Sequence, residues 1–214
     1  MVNPLSPDLS YIVASIAIVL LSLTVHEAAH AWSADRLGDP TARMLGRVSL
    51  NPLAHIDLIG TVLLPLIAAV SNFPIIGWAK PVPVNVSRLR HGRRDFMLVA
   101  AAGPASNILL AVLAAILVQV LPSPSVYQAN RLDLTTVMFL AGAINISLAV
   151  FNLIPIPPLD GGNVLAGLLP ADAAAIFDKL RPFGFVILYV LMFTGILGDL
   201  ILPPRRFLMG LLFP

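Results

Sequence analysis

Two histidines and one glutamate stand within five residues of one another in an otherwise apolar stretch, as His-Glu-Ala-Ala-His at residues 26–30. On a helix, the i, i+4 spacing places His26 and His30 on one face, where both imidazoles can bind one metal ion. Glu27 is rotated from His26 by about 100° around the helix axis, so it lies beside the ion. A carboxylate in that position can accept a proton from water. The pattern predicts a catalytic zinc site with Glu27 as general base.

A third zinc ligand has to come from a distant part of the chain, and it has to be a histidine or a carboxylate because there is no cysteine. Asp160 is the best candidate, since it follows an apolar stretch that Pro155, Pro157 and Pro158 force out of helix. Non-helical backbone at membrane depth is tolerated only where it lines protein or a water-filled cavity. An ordinary turn residue before two glycines is the alternative. The predicted depth in the membrane favours Asp160 as a ligand, because His26 and Asp160 both fall toward the inner side of the bilayer in the predicted topology.

The composition identifies the environment of the chain. Of its 214 residues, 58% are hydrophobic and 11% are charged, whereas soluble domains carry about 25% charged residues. We therefore predict an integral membrane protein, a single domain over 1–214 with room for roughly four to six spans. The net charge of +2 comes from basic residues in short loops. Such residues indicate loops that face the cytoplasm rather than a nucleic-acid partner.

Five apolar stretches are candidate membrane segments: 11–32, 58–77, 96–121, 134–156 and 183–202. All except the second are predicted to be full spans of the cell membrane. The second is interrupted by prolines and has basic residues before and after it, so a full crossing would place one basic cluster outside. We therefore predict that it is re-entrant or interfacial. This topology places the N-terminus outside and the active site toward the cytosolic side, although it also places Arg205 and Arg206 outside.

Residues 78–86 alternate valine with proline and cannot be helical. Because proline lacks an N–H group, the segment cannot be the centre of a sheet, but it could present one edge. An unwound substrate chain could pair with that edge by strand addition. The predicted substrate-strand residues are Lys80, Pro81, Val82, Pro83 and Val84. The predicted fold class is an all-α polytopic bundle of about four full spans, with a re-entrant segment and a short extended, β-like element.

Three motifs occur along the chain: His-Glu-Ala-Ala-His at 26–30, Ala-Gly-Pro-Ala-Ser-Asn at 102–107, and Asn-x-x-Pro-x-x-x-x-Asp-Gly at 152–161. Together they make the sequence resemble the site-2 protease family of intramembrane zinc metalloproteases, in particular its small bacterial members. Two further segments, at 38–57 and 77–85, are similar to family segments.

The resemblance implies that His26, His30 and Asp160 bind one Zn²⁺ per chain and that Glu27 is the catalytic glutamate. It also implies substrates that are transmembrane segments, cut within the bilayer. The core would consist of three of the full spans, 11–32, 96–121 and 134–156, with zinc nearer the cytosol. The chain leaves no room for the PDZ or nucleotide-binding module of larger relatives.

Other polar residues have two interpretations each. Asn107 and Asn152 are candidates to hydrogen-bond the oxyanion or the substrate backbone. An interhelical hydrogen bond is the alternative for both, and it is favoured for Asn107. His55 and Asp57 form either an auxiliary pair at the entry to the site or turn scaffolding, with scaffolding favoured.

A membrane zinc transporter or metal-binding protein is the alternative function, because histidine and aspartate in spans also mark ion pathways. Glu27 separates the two functions, since a transporter does not need a carboxylate beside the metal that is not a ligand. A transporter would also be expected to carry further acidic or histidine residues along a path, and the outer halves of the predicted spans have none.

Overall fold

The computed structural model describes residues 9–64, 67, 77–121 and 132–214. Over these residues the α-helices are α1 (Leu9–Arg36), α2 (Thr41–Met44), α3 (Arg93–Val120), α4 (Leu134–Asn152), α5 (Asp160–Leu168), α6 (Ala171–Asp178), α7 (Gly184–Phe193) and α8 (Ile196–Leu212). Short 3₁₀ turns and a π-helix at Leu58–Leu63 lie between them. The predicted all-α membrane fold is confirmed.

Three helices, α1, α3 and α4, are long and apolar enough to cross a membrane. They coincide with the predicted spans 11–32, 96–121 and 134–156, except that α4 already ends at Asn152. The prolines that follow at 155, 157 and 158 explain the early end, because proline and the residue before it disfavour helix.

The three long helices pack through small side chains, with α3 in contact with both α1 and α4. The buried alanines of these helices are Ala28, Ala31, Ala34, Ala100, Ala111, Ala114, Ala115 and Ala149. Small residues let helix backbones approach closely enough for short polar side chains to reach across. Large apolar side chains on α3, such as Leu109, Leu113 and Ile116, are instead about half exposed. Exposed apolar faces of this kind suit a surface that lipid solvates.

The predicted span 183–202 is not one straight helix. The chain bends by 81° between the helical stretches Ala171–Phe193 and Ile196–Leu212. Gly195, with φ +82°, adopts the left-handed conformation that commonly ends a helix. The predicted full span 183–202 is therefore not confirmed, since its residues belong to two helices that meet at Gly195.

Helix α8 packs along α4. Nε of Arg205 donates to Oγ of Ser147 over 2.9 Å, and the ring of Phe213 lies 5.2 Å from that of Phe139. Because Ser147 lies within α4, Arg205 is placed beside that helix rather than in a loop beyond its end. The charge of Arg205 therefore gives no information about the side of the membrane on which a loop lies.

The segment predicted to be re-entrant has its two ends side by side. Asp57 caps the π-helix by accepting from the N–H groups of Ile59 and Gly60. The N–H of Trp78 donates to the carbonyl oxygen of Gly60 over 3.1 Å, and Oγ1 of Thr61 donates to the carbonyl oxygen of Trp78 over 2.9 Å. The turn predicted between these ends, at 65–66 and 68–76, lies outside the described residues.

Candidate metal centre

Helix α1 presents His26 and His30 to α3, and both residues are less than a tenth exposed. Nδ1 of His26 lies 2.6 Å from Oδ1 of Asn107, and Nδ1 of His30 lies 2.7 Å from the carbonyl oxygen of Val99. An amide or carbonyl oxygen can only accept a hydrogen bond, so each Nδ1 is the donor. A neutral imidazole that donates from Nδ1 has a lone pair on Nε2.

The third group comes from the turn that follows α4. Residues 153–159 reverse the chain, and α5 begins at Asp160 in contact with α3. Oδ2 of Asp160 lies 3.0 Å from Nε2 of His26 and 3.3 Å from Nε2 of His30, while the two Nε2 atoms are 3.1 Å apart. The structure thus brings together the three residues that the sequence predicts as ligands.

These three atoms fit a zinc ion. Tetrahedral Zn²⁺ with bonds of 2.0–2.1 Å places its ligand atoms about 3.3 Å apart, close to the separations of 3.0 to 3.3 Å found here. Oδ2 of Asp160 is buried without a hydrogen-bond partner, and both Nε2 atoms present lone pairs to the same point. Buried acceptors that converge in this way repel one another unless a cation lies between them.

Gly103 of α3 leaves the space that an ion needs. A Cβ atom at this position would lie 2.6 Å from Nε2 of His26 and closer still to Nε2 of His30. It would therefore clash with the ligand nitrogen atoms of both histidines. Among the described residues, His26, His30 and Asp160 form the one group of three or more histidine or acidic side chains with metal-ligand spacing.

Glu27 lies beside this group and is partly buried. Its Oε2 accepts a hydrogen bond from the backbone N–H of Val82 over 3.1 Å. Val82 stands between Pro81 and Pro83, so it is the one residue of the three with an N–H to donate. The extended segment therefore holds one carboxylate oxygen of Glu27 and leaves Oε1 without a partner among the described residues.

Residues 77–85, which cover most of the segment predicted to be extended, form neither a helix nor a strand in the structure. The N–H groups of Trp78 and Lys80 donate to the loop carbonyl oxygens of Gly60 and His55 instead. The predicted β-like element is therefore not confirmed, because the hydrogen bonds of this segment go to an irregular loop and not to a strand. The predicted substrate-strand residues 80–84 are placed beside Glu27 by this support.

Arg47 clamps the same segment from the side of α2. Its side chain is buried, and its guanidinium donates to the carbonyl oxygens of Lys80 and Pro81 and to that of Ala54. A planar guanidinium with five donors suits several carbonyl groups at once. Arg47 therefore stabilises the backbone that carries Val82.

Asp39 fixes the far end of the segment. It is fully buried and accepts hydrogen bonds from the backbone N–H of Asn85 over 2.6 Å and from Thr41. Burial alone raises the pKa of Asp39, but these hydrogen bonds and the nearby Arg88 outweigh it and hold the pKa below its ordinary value. The carboxylate therefore stays charged and keeps Asn85 against the end of α1.

His55 and Asp57 do not form a pair. Nε2 of His55 donates to the carbonyl oxygen of Ser49 over 2.8 Å, and the Asp57 carboxylate caps the π-helix. Both side chains stabilise turns of the loop that supports the extended segment. These contacts support the scaffold interpretation.

Both candidate oxyanion residues have hydrogen bonds within the bundle. Asn107 is fully buried, and its amide joins His26 to Asn145, which is the interhelical role favoured for it. Asn152 donates from Nδ2 to the carbonyl oxygen of Leu148 one turn earlier on α4, over 3.0 Å. Asn152 stays a predicted oxyanion donor. It is the last residue of α4, and Asp160 begins the next helix.

Sequence reasoning missed Asn145, Ser22 and the carbonyl group of Val99. Asn145 could have been found, because an asparagine within an apolar span is costly unless it is used. Ser22 gives a weaker signal, since serine is common where membrane helices pack closely. A backbone carbonyl gives no signal in a sequence.

Comparison with known proteins gives the family. The model of peptidase family M50 matches residues 123–195, which include Asp160. YwhC of Bacillus subtilis, named as a zinc metalloprotease, is 36% identical over 188 residues, which cover 87% of this chain and 82% of YwhC. Rip2 of Mycolicibacterium smegmatis, named in the same way, is 32% identical over 194 residues, which cover 89% of this chain and 71% of Rip2. No solved structure matches the chain significantly. The chain therefore belongs to peptidase family M50, the site-2 protease family, and is a metalloendopeptidase.

Proposed function

We propose that this chain is an intramembrane zinc endopeptidase that hydrolyses peptide bonds in transmembrane segments of other proteins. His26, His30 and Asp160 hold one Zn²⁺, and Glu27 is the general base. The observation that carries the proposal is the convergence of three lone pairs on one buried point within a bundle of apolar helices. The names of the relatives, as zinc metalloproteases, agree with the metal.

The roles of the protein groups follow from their positions. When bound, Zn²⁺ supplies a Lewis acid that activates water and polarises the scissile carbonyl. Glu27 accepts the proton of the attacking water at Oε1, because Oε2 is held by the N–H of Val82, and later donates that proton to the leaving amine nitrogen. The hydrogen bond from Val82 also keeps the carboxylate from rotating away from the ligands. Asn152 is the candidate donor to the oxyanion.

The extended segment supplies an edge for the substrate. Successive residues of an extended chain face opposite edges, so Trp78, Lys80, Val82 and Val84 share one edge. The loop already pairs with Trp78 and Lys80, whereas the carbonyl of Val82 and the N–H of Val84 have no partner among the described residues. A substrate strand that pairs there lies beside Glu27.

An apolar groove of about 310 Å³ gives a transmembrane substrate a route along α1. Ala28 and Ala29, which stand between the predicted histidine ligands, line it together with Trp32 and with residues 48–50 of the following loop. Small side chains let a second helix approach closely. The groove therefore supports a membrane-embedded substrate that arrives from the side of α1.

We further propose that the N-terminus is outside and the metal centre lies toward the cytosol. The paired ends of the 58–77 segment support a chain that returns to the side from which it left. Single cysteines at Met44 and Ser87, in a chain without native cysteine, should both react with an impermeant maleimide from the cytosolic side. A cysteine at Leu9 should react from outside. Labelling of positions 44 and 87 from opposite sides would overturn the re-entrant proposal.

The proposed function can be tested with Asp160→Asn. Wild type reconstituted in vesicles should hold about one zinc per chain and cleave a fluorogenic transmembrane peptide. A chelator should stop cleavage, and added Zn²⁺ should restore it. Asp160→Asn keeps the size of the side chain but removes the charge that balances the cation, so zinc content and cleavage should both fall. Full zinc content and activity in this variant would remove Asp160 from the ligands, and zinc transport without cleavage by wild type would support the transporter.

A further inference from the structure

Three polar side chains form a buried series behind His26, where α1, α3 and α4 meet. Asn107 lies 2.6 Å from Nδ1 of His26 and donates from Nδ2 to Oδ1 of Asn145, 2.9 Å away on α4. Asn145 donates from Nδ2 to Oγ of Ser22 and to the carbonyl oxygen of Ala141, each over 2.9 Å. The side chains of Asn107, Asn145 and Ser22 are at most 3% exposed. Polar groups so deep in an apolar bundle are costly unless they are paired, and these are paired throughout.

The far end of the series fixes the direction of its hydrogen bonds. The carbonyl oxygen of Ala141 can only accept, so the atom of Asn145 beside it is the amide nitrogen, and Oδ1 of Asn145 faces Asn107. Asn107 then turns Nδ2 toward Asn145 and Oδ1 toward His26. The backbone carbonyl of Ser22, 3.5 Å from Nδ2 of Asn107, imposes the same orientation. The proton of a neutral His26 is thereby held on Nδ1, and the lone pair of Nε2 faces Asp160.

We propose that Asn107, Asn145 and Ser22 are positioning residues that set the tautomer and ring orientation of His26 for zinc. The inference rests on the proposed function, because it takes His26 as a zinc ligand. Groups that bind the second nitrogen of a ligating histidine orient the ring and raise its affinity for the metal. Since Asn145 belongs to α4 and His26 to α1, the series also makes the metal ligand sensitive to how these two helices pack.

Two readouts test the proposal, and one of them needs no metal. The chain has four histidines, so ¹⁵N-histidine labelling and NMR of the metal-free protein can identify the tautomer of His26. Competition with a chromophoric chelator measures Zn²⁺ affinity. Asn107→Leu should remove the preference of His26 for the tautomer with its proton on Nδ1, and it should weaken zinc binding about 10- to 100-fold. Asn107→Asp keeps an oxygen that accepts from Nδ1, so it should keep the tautomer and hold zinc within a few-fold of wild type.

Asn145→Leu acts one residue further from His26 and should weaken the tautomer preference without touching the ligand. If Asn107→Leu does not fold, the tautomer in Asn145→Leu decides the question. The control is Ser147→Ala, which removes another interhelical hydrogen bond of α4 outside the series and should change neither readout. Wild-type tautomer and zinc affinity in both leucine variants would overturn the positioning role. Unchanged zinc affinity in His26→Ala would instead overturn the ligand assignment of the proposed function.

Discussion

Replacement of Gly103 by alanine should abolish zinc binding, and with it peptide-bond cleavage. The new Cβ would lie 2.6 Å from Nε2 of His26 and nearer to that of His30, well inside van der Waals contact. Because it clashes with the ligand nitrogen atoms of both histidines, the imidazoles have to move from the positions in which they can share an ion with Asp160. Loss of a partner outside the ligand set typically weakens a metal site about 10- to 100-fold, so we expect more than about 100-fold here. Equilibrium dialysis with Zn²⁺ measures the loss.

A matched alanine substitution separates this effect from a general intolerance of helix glycines. Gly198 of α8 has no atom within 4 Å of its would-be Cβ, so Gly198→Ala should bind zinc and cleave substrate as wild type does. The double variant His26→Ala with Gly103→Ala removes one of the two clashes, so it should recover part of the thermal stability that Gly103→Ala loses but should not recover zinc binding. If Gly103→Ala bound one zinc with wild-type affinity, the ion would have to lie elsewhere.

Replacement of Glu27 by glutamine should leave zinc content unchanged and lower cleavage by about 100-fold or more, the usual effect of losing a general base. The amide oxygen of glutamine can accept the hydrogen bond from the N–H of Val82 as the carboxylate does. The side chain therefore keeps its place but cannot take a proton. Zinc analysis and initial rates on the same reconstituted preparation measure both quantities.

The control for charge is Asp199→Asn, which removes an exposed carboxylate from α8, far along the chain from the site. It should cleave at the wild-type rate. Because Glu27→Gln keeps the ligands and the shape of the site, it should also retain bound substrate, which crosslinking can detect. Cleavage by Glu27→Gln at the wild-type rate would show that another group accepts the proton.

Local patterns in the sequence predicted the parts of the site that depend on short spacing. The i, i+4 histidines and the adjacent glutamate need one helical turn, and the three core spans need long apolar runs. Both features are readable in one stretch of chain. The structure places His26 and His30 against α3 as this spacing requires, and the three spans differ from the predicted ones mainly at their ends.

Features that depend on tertiary contact could not be predicted in this way. Hydropathy averages over a window, so one left-handed residue, Gly195, is not visible in the apolar stretch 183–202. Arg47 counted as a basic loop residue in the topology, whereas the structure buries it as a clamp on the extended segment. The partners of Asn107 are 38, 81 and 85 residues away along the chain, on two other helices. No local period links such positions.

The hydrogen-bond partners of the two histidines differ in how easily a mutation can remove them. His30 is held by the main-chain oxygen of residue 99, and any amino acid encoded there still provides that oxygen. The support of His26 instead depends on the side chains of residues 107, 145 and 22, which a single substitution can remove. Random mutagenesis should therefore recover variants that lose the metal far more often at position 107 than at position 99. Of the two histidines, His26 is the one whose support substitutions can remove.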